Sequence, residues 1–344
     1  MNTIAEAAAP DRALTRRPVA TTLVVPCFNE EAVLADTARV LLALLAEQVS
    51  TGRCGTGSLV LFVDDGSSDR TWELIERLGA AHPGQVAGIR LARNVGHQHA
   101  LLAGLTLAPG AVLISIDADL QDDQSAIPQM IDLYLEGNDI VYGVRRQRDA
   151  DSVYKRLTAA AFYRLMCRMG ADVLYNHADY RLMSRRAVDM LRRYGEVNLF
   201  LRGIVRLIGL RSAQVSYDRR ERKAGESKYS TYQMFALAVQ GITSFSVAPL
   251  RMISALGLLT SAFALAVSAW VLVVALTNPA AVPGWASTVL PISFIAGIQI
   301  LSIGVLGEYV GKIYLETKHR PRFMVDRAVG LPQDRSADWL DAVH

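Results

Sequence analysis

Residues 117–123 read Asp-Ala-Asp-Leu-Gln-Asp-Asp, placing four carboxylates in seven positions directly after the apolar run 111–116. Carboxylates this close repel one another, and burying one without a partner is costly. The cluster therefore calls for a positive charge. Hard divalent cations such as Mg2+ or Mn2+ take oxygen ligands and share them with phosphates. Further charged residues follow other apolar runs: 26–31 (PCFNEE), 64–69 (DDGSSD), Arg93-Asn94 and 145–148 (RRQR). Arginines grip phosphate oxygens through forked hydrogen bonds. Carboxylates flanked by arginines suit a metal-bound nucleoside diphosphate.

The elements that must position these residues alternate. Segments 21–28, 58–65, 86–92, 111–119 and 139–146 read as strands, separated by helical patterns at 30–48, 68–82, 96–108 and 125–137. Strands that are apolar throughout and alternate with helices imply a parallel sheet covered on both faces. Ligands of such sheets lie beyond the carboxyl ends of the strands, where all the charged segments fall.

The chain has 344 residues, 51% of them apolar, and a formal net charge of +3. Its three cysteines, Cys27, Cys54 and Cys167, are scattered and form no CxxC pair, which fits a reducing compartment rather than a disulfide scaffold or zinc site. The first 18 residues lack a signal-peptide pattern and read as a disordered tail. Between Lys228 and Glu308 the only charged residue is Arg251. Within this stretch, 252–276 and about 287–307 are each long enough to cross a bilayer, which takes roughly 20 residues. The proline-containing loop between them makes a hairpin. Arg251 before it and Lys312, Lys318, Arg320 and Arg322 after it place both flanks in the cytoplasm by the positive-inside rule. Residues 229–250 are uncharged but amphipathic, the pattern of an interfacial helix.

Taken together, VVPCFNEE, VDDGSSDRTWELI, LARNVGHQHALLAGL and DADLQD resemble family 2 glycosyltransferases of the GT-A fold, in order and spacing. The later stretches DIVYGVRRQR, KRLTAAAFYRLM, DYRLMSRRAVDML, FLRGI and RKAGESKY, followed by two apolar helices, narrow the resemblance to the polyprenyl-phosphate glycosyltransferases. It covers about residues 20–322. It implies that Pro26, Glu30, Asp65 and Asp117 contact the nucleotide. Asp117, Asp119 and Gln121 would hold the metal, and Arg145 would face the phosphates. Lys155, Arg156, Arg222 and Lys228 would meet the acceptor phosphate, and Asp179 matches a residue proposed as base in relatives. Asp119, Asp179 and Arg145 are thus the expected catalytic residues. Where relatives often carry prolines after DADLQ, this chain has Asp122, Asp123 and Gln124; Tyr180 stands where the family often has Phe.

The implied organisation is a cytoplasmic catalytic domain at 19–228 with an interfacial helix at 152–169. A second amphipathic helix (229–250), the hairpin (251–309) and a cytoplasmic tail (310–344) follow. The implied reaction moves a hexose from a nucleotide-sugar, with UDP-glucose or a related UDP-hexose leading, to undecaprenyl or another polyprenyl phosphate. It would proceed with inversion at the inner membrane; some relatives use GDP-mannose. Partners are the donor, the lipid and the membrane, not nucleic acid; a dimer or tetramer is open.

Other readings compete. Taken alone, DDGSSD reads as a turn in which Ser67 or Ser68 caps the next helix. RRQR and RRERK read as solvated faces or contacts with anionic lipid. His97 and His99, two apart on a helix, do not make a metal pair, and His177 reads as a loop residue. A different membrane glycosyltransferase, a non-catalytic nucleotide-sugar-binding membrane protein and a nucleotidyltransferase remain as rivals. No QxxRW motif points to a processive synthase, and no GxxxxGK[ST] loop is present.

Overall fold

The computed structural model describes residues 16–145, 177–196, 199–218, 248–277 and 285–331. They fall into two compact units: an α/β unit, and a pair of long helices.

The α/β unit begins with β1 (Thr21–Cys27), α1 (Leu34–Ser50), β2 (Leu59–Asp64), α2 (Thr71–Ala81), β3 (Val86–Leu91) and α3 (His97–Leu107). It continues with β4 (Val112–Ser115), α4 (Ala126–Leu135) and β5 (Ile140–Arg145). These are the alternating elements that the hydrophobic pattern predicts, with ends shifted by a few residues. Every residue of β1 and β2 is buried, as expected of central strands covered on both faces. The eight-stranded sheet runs β7-β5-β6-β4-β1-β2-β3-β8. Strands β1 to β5 and β7 point one way; β6 (His177–Ser184) and β8 (Val325–Val329) run against them.

Three strands go beyond the alternating pattern. β6 slots antiparallel between β4 and β5. β7 (Ser212–Tyr217) pairs parallel with β5 at an edge and is mostly exposed. The short helices α5 (Arg185–Leu191) and α6 (Leu201–Leu207) lie between them in the chain. The segment expected to be a cytoplasmic tail instead returns to the sheet, where β8 pairs antiparallel with β3. Two charges within VDRAV hide it from a hydrophobicity reading.

Helix α3 lies flush on the sheet, with all eight residues Ala100–Leu107 buried. Gly104 permits this approach: a Cβ there would lie 2.4 Å from Val24 Cγ1 and 2.7 Å from Val63 Cγ2.

The second unit holds α7 (Ala248–Thr277) and α8 (Trp285–Thr317), of 30 and 33 residues. α7 takes in 248–250, assigned above to the amphipathic segment, and contains the apolar run 252–276. α8 contains the run 287–307 and carries Pro291 within it. Among the described residues one stretch, Ile298–Thr317, is long and apolar enough to cross a membrane. The expected interfacial helix at 152–169, and 229–247, lie outside the described residues.

Gly104→Ala is expected to destabilise the α/β unit by about 1–3 kcal/mol, because neither valine is a flexible chain end. Chemical denaturation of the purified protein measures this; an unchanged midpoint would show that α3 can lift off the sheet at little cost.

Candidate active site

The strand order reverses between β1 and β4, and open α/β sheets bind ligands at that point, beyond the strand ends. The DADLQDD segment emerges there from β4. It forms a tight turn in which Leu120 N–H donates to Asp117 O at 3.3 Å, and Leu120 adopts φ 50°. A positive φ is strained for leucine and needs support from its surroundings. Thr37 Oγ1 in α1 donates to Ala118 O at 2.6 Å. Gln124 Nε2 donates to Leu120 O at 3.1 Å and Asp122 O at 2.8 Å, and Tyr180 Oη to Asp123 O at 3.1 Å. Gln124 is thus a hydrogen-bonded staple of the turn. Gln121 N–H donates to Asp119 Oδ1 at 3.1 Å, fixing that side chain.

The four carboxylates have different fates. Asp123 accepts from Ser125 at the start of α4, holding the turn that leads into the helix. Asp122 is buried and meets Arg145: Arg145 Nη2 and Tyr217 Oη both donate to its Oδ1, at 3.2 and 2.7 Å. Arg145 Nε in turn donates to Tyr217 Oη at 3.1 Å. Residues 145 and 217 are register partners where β5 and β7 end, so the pairing of two strands aims the arginine. Burial and the Asp122 carboxylate raise the Tyr217 hydroxyl above its usual range, leaving it a neutral donor.

Asp117 faces the opening. Burial, aided by Asp122, Asp179 and Asp119, raises its carboxyl above the ordinary range, and His97 opposes this. Asp179 reaches the same place from β6. Ser115 pairs with Arg181 across the β4–β6 ladder, so residues 117 and 179 each lie two steps further toward the rim, on one face. His97, the first residue of α3, brings Nε2 to 3.6 Å from Asp117 Oδ1 and 3.8 Å from Asp179 Oδ2. Asp179 is held by Arg181, itself 1% exposed, and by Arg202 at 3.1 Å. Arg202 and Arg181 drive its carboxyl far below the ordinary range despite burial.

Arg202 and His97 are site residues that the sequence reading did not select. Arg202 lies in FLRGI, which was noted only as part of a resemblance. His97 was weighed only against His99. Gln98 between them accepts the Leu201 N–H at 2.9 Å and so seats α6, which carries Arg202.

On the other side of the switch point, the loops after β1 and β2 interlock. Asn29 N–H donates to Ser67 Oγ, Ser68 N–H to Asn29 Oδ1, and Glu30 N–H to Thr71 Oγ1. The serines thus bind the neighbouring loop. Asp69, two residues before α2 begins, accepts the Thr71 N–H at 3.0 Å; the N-cap position is Arg70, which makes no side-chain cap. Pro26 is buried within β1, and Glu30 is half-buried beyond its end. Asp65, expected to contact the nucleotide, is 3% exposed; its two oxygens accept the N–H groups of Val95 and Gly96 at 2.8 and 2.9 Å. It shapes the loop after β3. Lys155, Arg156, Arg222 and Lys228 lie outside the described residues.

Among the described residues, no three His, Cys, Asp or Glu side chains form a closed metal cage. Two hard carboxylates on one turn, one of them disfavoured as an anion by burial and then by neighbouring carboxylates, fit a divalent ion that completes its shell with substrate phosphates.

The profile of "Glycosyl transferase family 2" matches residues 22–192. The chain is 48% identical over 310 residues to "Uncharacterized glycosyltransferase YkoT" of Bacillus subtilis (strain 168), covering 89% of this chain and 90% of that protein. It is 38% identical over 307 residues to the "Bactoprenol glucosyl transferase" of Shigella phage SfV, covering 88% and 97%. The protein is a glycosyltransferase. It belongs to glycosyl transferase family 2. A mannosyltransferase from Pyrobaculum calidifontis, solved with GDP-Man and Mn2+, overlaps 89% of this chain and 87% of its own at 16% identity and a TM-score of 0.42. The family assignment rests on the sequence matches, not on that overlap.

Asp179→Asn leaves the buried Arg181 without its counter-charge and is expected to cost about 3–5 kcal/mol near neutral pH. Because the folded carboxyl is depressed, its stabilising contribution is full above the unfolded value of about 4 and is lost as pH falls through the folded value. Denaturant midpoints of both forms should therefore converge in strong acid. A constant gap between them down to the lowest pH would contradict the ion-pair account.

Proposed function

We propose that this enzyme transfers a hexose, glucose or a close relative, from a UDP-sugar to polyprenyl phosphate at the cytoplasmic face of the inner membrane, with inversion. The observation that carries the reading is the braced DADLQDD turn flanked by Arg145 and Arg202, in a chain matching bactoprenol glucosyl transferases over most of its length.

Two anions must meet in this reaction, so neutralising charge is the main task. Asp117, Asp119 and Gln121 would hold Mg2+ or Mn2+, which when bound supplies Lewis-acid stabilisation of the departing diphosphate. Pro26 and Glu30 line the base and ribose side. Arg145 and Arg202 offset phosphate charge; each is fixed in advance by a carboxylate and needs no reordering when the anion arrives. Lys155, Arg156, Arg222 and Lys228, outside the described residues, are proposed from the family resemblance to meet the acceptor phosphate.

The acceptor oxygen is already largely ionised near neutral pH, since a phosphate monoester's second pKa is about 6. A strong base is unnecessary, and Asp179 is poorly suited to act as one: its paired, depressed carboxylate has little affinity for a proton. Its role is to aim Arg202.

The topology supports an even number of membrane crossings. The chain leaves the sheet after β7 and rejoins the same sheet as β8, so these two strands lie on one side of any bilayer. Ile298–Thr317 has the length and hydropathy of a crossing, and the apolar run 252–276 within α7 is proposed as the second.

Purified protein incubated with Mn2+ or Mg2+, undecaprenyl phosphate and radiolabelled UDP- and GDP-sugars should carry label into the organic phase from one donor only. Asp119→Asn should lower that transfer about a hundredfold or more while leaving the melting temperature unchanged. Normal transfer by the variant removes the metal-turn reading, and hydrolysis of a donor without lipid labelling removes the acceptor.

A further inference from the structure

The C-terminal strand β8 has no part in the reaction above, yet it grips the loop that borders the nucleotide side of the cleft. Register partners run from Gly88↔Val329 to Leu91↔Val325, with a bulge between Arg90 and Leu91. One residue beyond β3, Ala92 N–H donates to Met324 O at 2.9 Å. The loop then turns through residues 93–96 into α3. There Val95 and Gly96 give their N–H groups to the two oxygens of Asp65.

The same loop passes close to Gly66, just after β2: Gly66 has φ 66°, and a Cβ built on it would lie 2.8 Å from both Arg93 C and Asn94 N, so only glycine fits there. The loop is therefore hydrogen-bonded to Asp65 and tied at its upstream end to β8.

Strand β8 is anchored for such a role. Phe323 is 4% exposed. Val329 sits over two glycines, 3.4 Å from the Cβ position of Gly79 and 3.1 Å from that of Gly88. Without β8, β3 would be an open sheet edge and Ala92 N–H would lose its acceptor.

We propose that β8 is a positioning element of the donor site: by fixing Ala92 it sets the 93–96 loop, and through Asp65, Val95 and Gly96 the N-terminus of α3 that presents His97 to Asp117 and Asp179. The C-terminal segment thereby contributes to nucleotide binding without touching the nucleotide. This rests on the donor-site reading of the preceding subsection.

The test uses the full chain with Phe323→Ala and Val329→Ala combined, and Asp326→Ala, at a half-exposed position on the same strand, as control. Hydrogen exchange at Ala92, Val95 and Gly96 needs no ligand. In the double variant it should accelerate about tenfold or more, with β1 and β2 amides unchanged. The affinity for Mn2+·UDP, read by calorimetry, should fall about tenfold in parallel, with the control matching the unaltered protein on both measures.

Unchanged exchange at the three amides would overturn the proposal and reduce β8 to an edge cover. Faster exchange with unchanged UDP affinity would overturn the link to the donor site. If the unaltered protein binds neither UDP nor GDP, the donor-site reading itself falls, while faster exchange in the variant still supports the hold of β8 on the loop.

Discussion

The constraint on which the rest of the structure depends is charge balance at the carboxyl ends of the sheet. Asp117, Asp119, Asp122 and Asp179 converge on one rim. Such a cluster folds only if part of its charge is cancelled internally. Arg145 cancels Asp122, and Arg181 with Arg202 cancels Asp179. The pairings divide the cluster: Asp122 and Asp179 orient arginines, while Asp117 and Asp119 on the turn are the proposed cation ligands. The same pairings fix the guanidiniums of Arg145 and Arg202 in advance. Ion pairs that would be marginal as stability devices thus serve as geometric ones.

How legible this was depended on the range of the interactions. The core strands and helices were readable because apolar periodicity is local. The DADLQDD turn was readable because four acids in seven residues have few explanations. The separate fates of Asp122 and Asp123 were not, because Asp122 is buried by Tyr217, 95 residues away. Ser67 and Ser68 were natural candidates for the α2 cap, yet a neighbouring loop claims them and Asp69 receives the Thr71 N–H at the start of the helix. Strand β6 runs against its neighbours and interrupts the alternation, so a βα pattern cannot announce it. Arg202 and His97 become site residues only when β6, α3 and α6 meet, and nothing in their immediate sequence says so.

The return of the chain as β8 changes how the long helices are understood. A free tail would leave their topology to charge statistics alone. Because β8 is a strand of the same sheet as β7, connectivity itself requires an even count of crossings in any membrane arrangement. Among the described residues, Ile298–Thr317 of α8 is the stretch with the length and hydropathy of a crossing.

The most direct test of the central proposal, that Asp117 and Asp119 on a braced turn serve a cation shared with a diphosphate, is calorimetry of UDP binding with and without Mn2+. The account predicts that omitting the metal weakens binding about a hundredfold or more, because the turn then meets the diphosphate as like charge. Equal affinity with and without metal would contradict it and would assign the diphosphate to Arg145 and Arg202 alone.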